Sequence, residues 1–328
     1  MNTFRTSLQI KPSPKRISLS DRILTIGSCF SDAIGSQFVD NKINCNANPY
    51  GVLYNPASIH KVLQYSIFNQ SVPDDTFLHR DDVFFNYDFH SEFSSMNLSH
   101  LQEQLKTIIA KTHSFLQGTH WLIITYGTAW VYERNETNSV VANCHKMPQT
   151  MFTKSLMTQK KVMDSFDSMY QAIKPVNPDI NILLTVSPVR HLKDTLELNS
   201  VSKSVLRVAC HTITEQYRDV YYFPAYEIMM DDLRDYRFYK ADMIHPTQVA
   251  EQYIWQKFAE RYFDEELTTF LGKWEEIQSA LAHKPFHPVS SAHQRFVWEM
   301  LKKLDELKSV VNVDEEVALL RKQLNAES

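Results

Sequence analysis

Four short apolar runs, each closed by a glycine or a proline and separated by stretches of helical period, leave this chain few architectures to choose from. Arg22-Ile-Leu-Thr-Ile-Gly27 ends at its glycine and His120-Trp-Leu-Ile-Ile-Thr-Tyr126 stops at Gly127. Ile180-Asn-Ile-Leu-Leu-Thr-Val-Ser187 stops at Pro188, and Val220-Tyr-Tyr-Phe223 stops at Pro224. Leu101, Leu105, Ile108 and Ile109 mark one face of a helix before the second run, and Val205, Val208, Ala209 and Ile213 mark one before the fourth. Continuous apolar strands alternating with amphipathic helices imply a parallel sheet covered on both faces. The expected class is α/β, a three-layer α/β/α sandwich with a doubly wound sheet over about residues 15–265. Its working residues should collect beyond the carboxyl ends of the strands.

The 328 residues are 43% hydrophobic, which supports a buried core and excludes intrinsic disorder. With 34 basic against 38 acidic residues, the net charge of −4 gives no general attraction to nucleic acid or to an anionic membrane. The start, MNTFRTSLQIKPSPKRIS, lacks the apolar segment of a secretory signal, and no run is long enough to span a bilayer. The four cysteines, Cys29, Cys45, Cys144 and Cys210, form no Cys-x-x-Cys pair. A soluble, cytoplasmic protein is expected. Residues 66–98 are polar and aromatic without clear period, and read as an insertion able to roof the crevice. Residues 266–328 read as a C-terminal helical extension, with helices over Glu265–Ala282, Ser290–Val311 and Asp314–Leu324 and a break at His283–Pro288. The apolar stripe Phe296, Met300, Leu304 and Leu307 is expected to cover the main domain, with self-association as the other use.

Two constellations can carry chemistry. Gly27-Ser28-Cys29 lies where a strand turns into a helix that continues with Ile34, Phe38 and Val39 at helical spacing. A nucleophile there stands above the sheet, and the free N–H groups of the helix favour a sulfur or oxygen anion. The competing reading is that Ser28 caps the helix and Cys29 packs as a small hydrophobe. In Asp242-Met-Ile-His245-Pro246, proline favours a helix start just past the histidine, with Val249, Ile254, Phe258 and Tyr262 as its face. Asp242 can fold back to hold one ring nitrogen of His245 and leave the other as a base. An Asx-type turn or a pair of metal ligands is the alternative. Cys144, His145, His191, Asp242 and His245 lack metal-site spacing, so no metal is expected. The absence of Gly-x-Gly-x-x-Gly and of a P-loop disfavours nucleotide cofactors, and no cofactor is expected.

A set of blocks then points to a family: Ile26-Gly-Ser-Cys-Phe-Ser31, Asn48-Pro-Tyr-Gly-Val-Leu-Tyr-Asn-Pro56, Tyr126-Gly-Thr-Ala-Trp-Val-Tyr132, Asn143-Cys-His-Lys146, Thr185-Val-Ser-Pro-Val-Arg-His191, Tyr236-Arg-Phe-Tyr239 and Asp242-Met-Ile-His-Pro246. Together they resemble the GSCFA family, which is similar to the SGNH (GDSL-like) hydrolase superfamily of flavodoxin-like folds. The resemblance implies a nucleophile at the third residue of the first block, Cys29, with Ser28 as its rival. It also implies a base and orienter at His245 and Asp242. It implies an oxyanion hole from the nucleophile's own N–H and that of Gly51. The third-block asparagine of the SGNH pattern is absent from Gly127-Thr128-Ala129, and Thr128 or Asn143 would take its place. His145, Lys146, Arg190 and His191 are further polar residues expected near the strand ends, able to hold an anionic or sugar-like substrate.

The function so implied is that of an acyl-ester hydrolase or acyltransferase acting on a small-molecule or carbohydrate acyl ester. Its rival is a non-catalytic SGNH-like scaffold that binds a glycan or a partner protein.

Overall fold

The computed structural model describes residues 6–283, 286–287 and 289–324. In chain order come β1 (Ile23–Gly27), α1 (Cys29–Asp40), β2 (Cys45–Ala47), α2 (Pro56–Ile67), β3 (Phe77–Arg80), β4 (Val83–Asn86) and α3 (Leu98–Leu116). These are followed by β5 (Trp121–Tyr126), β6 (Trp130–Arg134), β7 (Val140–Val141), β8 (Phe152–Leu156), α4 (Gln159–Ile173), β9 (Asn181–Val186) and α5 (Thr195–Gln216). The chain continues through β10 (Val220–Phe223), a single turn α6 (Ala225–Glu227), α7 (Gln248–Tyr262), α8 (Glu265–Ala282), α9 (Ser291–Leu307) and α10 (Asp314–Leu324).

The central sheet is wholly parallel, in the order β10-β9-β5-β1-β2. Counting only its own strands in sequence order, this is 2-1-3-4-5, the doubly wound order of the flavodoxin type, whose switch point falls between the first and third strands. Alternate residues feed two cores. Leu24, Ile26, Leu122 and Ile124 pack with α2, α3, α4 and α5, while Ile23, Trp121 and Ile123 pack with α1, α7 and the C-terminal helices. Both faces are therefore covered, and the three-layer sandwich follows. All four expected runs are strands. The added β2 is a three-residue, half-buried edge with too little apolar content to stand out.

Three helical faces differ from the expected ones, and on α1 Ile34 and Phe38 are buried while Val39 is exposed. On α5 the buried residues are Asn199, Ser202, Lys203, Leu206, Ala209, Cys210 and Ile213, and Val208 is exposed. On α7, Ile254, Phe258 and Tyr262 are buried but Val249 is exposed. In all three cases a valine sits one position off the true stripe.

The insertion holds the β3–β4 hairpin, and a second antiparallel unit, β7-β6-β8, follows β5. The two are joined by the N–H groups of Ala142 and Asn143, which donate to Tyr87 O at 2.8 and 3.2 Å. The second unit has no counterpart in the sequence reading. Lys61 and Tyr65 of α2 reach Asp88 at 2.7 Å each and pin the insertion to the sandwich.

The C-terminal helices cover α1. Trp274 Nε1 and Gln278 Nε2 both donate to Asp40 O at 2.9 Å, satisfying a carbonyl that the end of α1 leaves open. Met300, Leu304 and Leu307 are buried in the core that α1 lines, and Phe296 packs at its margin. The helix expected to run to Val311 ends at Leu307. The break at His283–Pro288 lies partly outside the described residues, as do the last four residues of 266–328. Among the described residues no helix is long and apolar enough to cross a membrane.

Candidate active site

The turn after β1 is shaped by Gly27, whose φ of +141° favours glycine and whose Cβ, if added, would lie 2.1 Å from Thr125 O. The Gly27 N–H donates to Asn48 Oδ1 at 2.8 Å, and Asn48 Nδ2 returns to Gly27 O at 3.3 Å and to Asp32 Oδ1 at 2.6 Å. Asn48 thus fixes both faces of the turn and the first carboxylate of α1. The Ser28 N–H donates to Thr125 O at 3.2 Å, which sets the turn against β5.

Ser28 and Cys29 differ sharply. The Ser28 hydroxyl is 1% exposed and has no hydrogen-bond partner, and it makes no capping bond to the helix it precedes. Cys29 is the first residue of α1, half-buried, with its own N–H and that of Phe30 directed at the sulfur. Burial pushes the thiol up, as does the Asp32 carboxylate, while the two N–H groups and the Lys203 ammonium pull it down. The N-cap expectation for Ser28 is met by position but not by a side-chain bond.

The second constellation forms as a dyad. Asp242 Oδ2 accepts from His245 Nδ1 at 2.7 Å, and Oδ1 takes the N–H groups of Ile244 and His245 at 2.9 and 3.0 Å. These backbone bonds, then the imidazole, hold the Asp242 carboxyl down at about 2. The Asx-type turn and the base-orienter pair are thus the same object. Both side chains are open to solvent, at 44% for His245 and 46% for Asp242. His245 Nε2 makes no hydrogen bond, and none joins His245 to Cys29.

What lies between them is Tyr54 and His191. The Tyr54 phenol is pushed up by burial and then by the charges of Cys29 and Asp32. Its ring meets His191 edge-on at 5.3 Å. Burial drives the His191 imidazole down to about 4, helped by Lys203 and, less, by His245, with Asp194 opposing. Cys29, Tyr54, His191 and His245 therefore form one electrostatic neighbourhood.

The remaining expected residues are dispersed. The Gly51 N–H closes a turn on Asn48 O at 2.9 Å, and His90 and Glu92 of the insertion close over this glycine. Thr128 Oγ1 shares a hydrogen bond with Ser202 Oγ at 3.0 Å and accepts from Trp130 N. Asn143 serves the insertion, with Nδ2 on Ser91 Oγ at 3.0 Å and Oδ1 on the His145 N–H at 2.8 Å. His145 is bonded through Nε2 to Asn86 O at 2.7 Å and stacked on Phe85, and its burial pushes the imidazole down against the Asn86 bond. Lys146 is exposed with φ +58°. For Asn143 and His145 the physical reason is the same: both close a left-handed turn that fastens the two antiparallel units together. Arg190 does lie beside the crevice, donating to Tyr239 OH at 3.1 Å and Met230 Sδ at 2.7 Å. Among the described residues no group of three or more His, Cys, Asp or Glu side chains is arranged to hold a metal ion.

Sequence reasoning missed Lys203. It is 1% exposed, and Nζ donates to Gly127 O at 2.8 Å and Ser187 O at 2.7 Å, just past β5 and β9. Burial brings its ammonium down to about 7, with Cys29 raising it and Arg190 lowering it. The signal was available: a lysine occupies the buried register of α5, between Asn199 and Leu206.

The 2-1-3-4-5 parallel sheet, with Cys29 opening α1 at its switch point and a carboxylate-held imidazole after the last strand, defines a doubly wound α/β protein. The chain belongs to the GSCFA family, whose profile matches residues 22–258, and the profile of the GSCFA domain protein C-terminal domain matches residues 274–326. No curated protein matches the sequence. Among solved structures, a carbohydrate esterase family 3 protein from Talaromyces cellulolyticus is similar over 77% of this chain and 98% of its own, at 8% identity and TM-score 0.35. A family two carbohydrate esterase from Clostridium thermocellum, in complex with cellohexaose, is similar over 81% of this chain and 68% of its own, at 15% identity and TM-score 0.33.

Proposed function

We propose that this protein is an acyl-transfer enzyme, a hydrolase or acyltransferase of an O-acyl ester of a small molecule or carbohydrate, with Cys29 as nucleophile and His245, oriented by Asp242, as base. The observation that carries this reading is the Cys29 sulfur resting on the N–H groups of Cys29 and Phe30 at the mouth of the switch point. Neither N–H serves a backbone carbonyl, so both can turn to the oxyanion of a tetrahedral intermediate. The thiol loses its proton to His245 Nε2, the sulfur attacks the ester carbonyl carbon, and collapse expels the alcohol, which takes the proton back from the imidazole. Water or an acceptor hydroxyl then releases the acyl group from sulfur. A carboxyl held near 2 keeps Asp242 ionised across the working range, so His245 retains its orienter in mild acid.

Closure of the crevice on substrate would bring His245 to the sulfur, since apo contacts of catalytic pairs are often long. Ser28 is the weaker nucleophile candidate because its hydroxyl is enclosed. The scaffold reading draws support from the raised thiol and from the Gly51 N–H being engaged elsewhere. Separate Cys29→Ala, Ser28→Ala and His245→Ala variants assayed on short-chain acyl esters divide these readings. Cys29→Ala and His245→Ala should each lose about a hundredfold or more in kcat/KM, and Ser28→Ala should keep most activity. Equal turnover in the wild type and in Cys29→Ala would remove Cys29 from the mechanism, and no turnover in any form would favour the scaffold.

A further inference from the structure

Among the described residues Lys203 is the one lysine whose whole side chain is buried. No carboxylate lies within ion-pair distance of it, and its hydrogen bonds go to two backbone carbonyls. An ammonium taken out of water this completely is costly unless a negative charge answers it, and an apolar side chain of the same length would fill the same space. The groups that face it are few. Arg190, in the segment after β9, and His191 beside it carry positive or no charge. Tyr226 of α6 presents its ring at 5.7 Å, and burial pushes its phenol up. That leaves Cys29, from α1, as the facing group whose negative charge, when it forms, answers the ammonium.

The geometry is specific. Gly127, whose carbonyl Lys203 holds, stands against the nucleophile turn: a Cβ placed on it would lie 3.3 Å from Ser28 Cβ. Lys203 therefore ties the ends of β5 and β9 together and fixes its charge next to the Ser28–Cys29 turn.

We infer that Lys203 is a positioning residue for Cys29, a buried ammonium held by the Gly127 and Ser187 carbonyls that stabilises the sulfur anion when the thiol proton leaves. The S–H bond breaks, its electron pair stays on sulfur, and the proton passes to His245 or to water. Lys203 keeps its own protons in this step. The inference rests on Cys29 being the working thiol, and its test needs no substrate, so that it can succeed or fail independently of turnover.

The test is the pH dependence of iodoacetamide alkylation at Cys29, followed by peptide mass spectrometry in the wild type and in Lys203→Met. The variant should slow Cys29 alkylation by about tenfold at about pH 6.5, where Lys203 carries its proton, and by much less above about pH 9, where Lys203 has lost it. Cys144, whose thiol is lowered by Lys193 and not by Lys203, should keep its rate in both and so reports on folding. An unchanged Cys29 profile beside an unchanged Cys144 overturns the inference. Should Lys203→Met unfold, rapid labelling of the buried Cys210 would reveal it, and the reciprocal measurement on the intact chain decides. In that measurement 13C-lysine NMR follows the lysine that titrates near neutrality before and after carbamidomethylation of Cys29. Coupling between the two groups requires its midpoint to fall once the sulfur can no longer ionise, and an unmoved midpoint overturns the inference. A shifted midpoint together with absent esterase activity would leave Lys203 in this role and remove the acyl-transfer reading instead.

Discussion

Among the lysines that brace backbone carbonyls in this molecule, Lys61 and Lys203 have surroundings that treat the charge in opposite ways. Lys61 of α2 donates to Val140 O at 2.6 Å and to Asp88 Oδ1 at 2.7 Å, and the other oxygen of Asp88 takes the Tyr65 hydroxyl. Ammonium, carboxylate and phenol form a closed set that pins the insertion and β7 to the sandwich. Lys203 of α5 reaches two carbonyls in the same fashion, with no carboxylate to neutralise it. The first lysine is a clamp whose field ends at its partner. The second does the same mechanical work and leaves its field directed at a thiol. A buried charge with a satisfied partner thus reads as architecture, and one with only dipoles around it reads as a source of potential.

The sharpest way to break that contrast is the pH dependence of stability. Lys203 is protonated in the folded chain only below about pH 7, whereas the free side chain keeps its proton to about 10.5. Between those values the unfolded chain binds more protons, so stability rises with pH through the window and is lost again as pH falls toward 7. Urea unfolding should show the wild type gaining about 3 kcal/mol on Lys203→Met between pH 6.5 and 10. Taking the difference cancels the cysteines and tyrosines that do not face Lys203, whose raised values act in the opposite sense. Parallel curves for the two proteins would mean that Lys203 is paired after all. Lys61→Met comes next in size. It leaves Asp88, 3% exposed, without its cation, at a cost of about 2 kcal/mol, reduced by the water that reaches the 28%-exposed lysine. Cys29 alkylation should be untouched by that substitution. A Lys61→Met variant with altered Cys29 chemistry would erase the distinction between clamp and field.

The contrast also marks how far the sequence could be read. Four of the five strands of the parallel sheet were legible because burial on both faces makes them unbroken apolar runs, and each ends where Gly27, Gly127, Pro188 or Pro224 forbids continuation. The C-terminal helices α8 and α10 were legible to the residue, since their stripes run between a capping Asp264 and a break, and from Asp314 onward. The Asp242–His245 dyad was legible because its members are three residues apart and a proline fixes the turn. The antiparallel unit β7-β6-β8 was not: Trp130–Arg134 is half-exposed, so its pattern carries little periodic signal. Asn143 and His145 looked like site residues because polarity at a strand end cannot be told from polarity that closes a left-handed turn, and His145 has φ +47°. Lys203 was hidden by the assumption that buried helical positions are apolar. Choosing Val208, which is 49% exposed, displaced the stripe by one residue and put Lys203 on the wrong face.

The smallest effect tests the clamp from inside. Tyr65→Phe removes one hydrogen bond to Asp88 and leaves the Lys61 ion pair in place, so the carboxylate keeps a charged partner and the loss should be only about 1 kcal/mol. The Tyr65 phenol is pushed up by burial and by the Asp88 charge, which means that it donates to the carboxylate at every pH at which the fold is measured. Combined with Lys61→Met, the substitution should cost more than the sum of the two single changes, because Asp88 then loses both compensating groups in a nearly dry site. A double-mutant cycle by urea unfolding reads this directly. Simple additivity would show that Asp88 is neutralised by water and not by its neighbours. The insertion would then be held by its backbone contacts to Tyr87, and Lys61 would be no better compensated than Lys203.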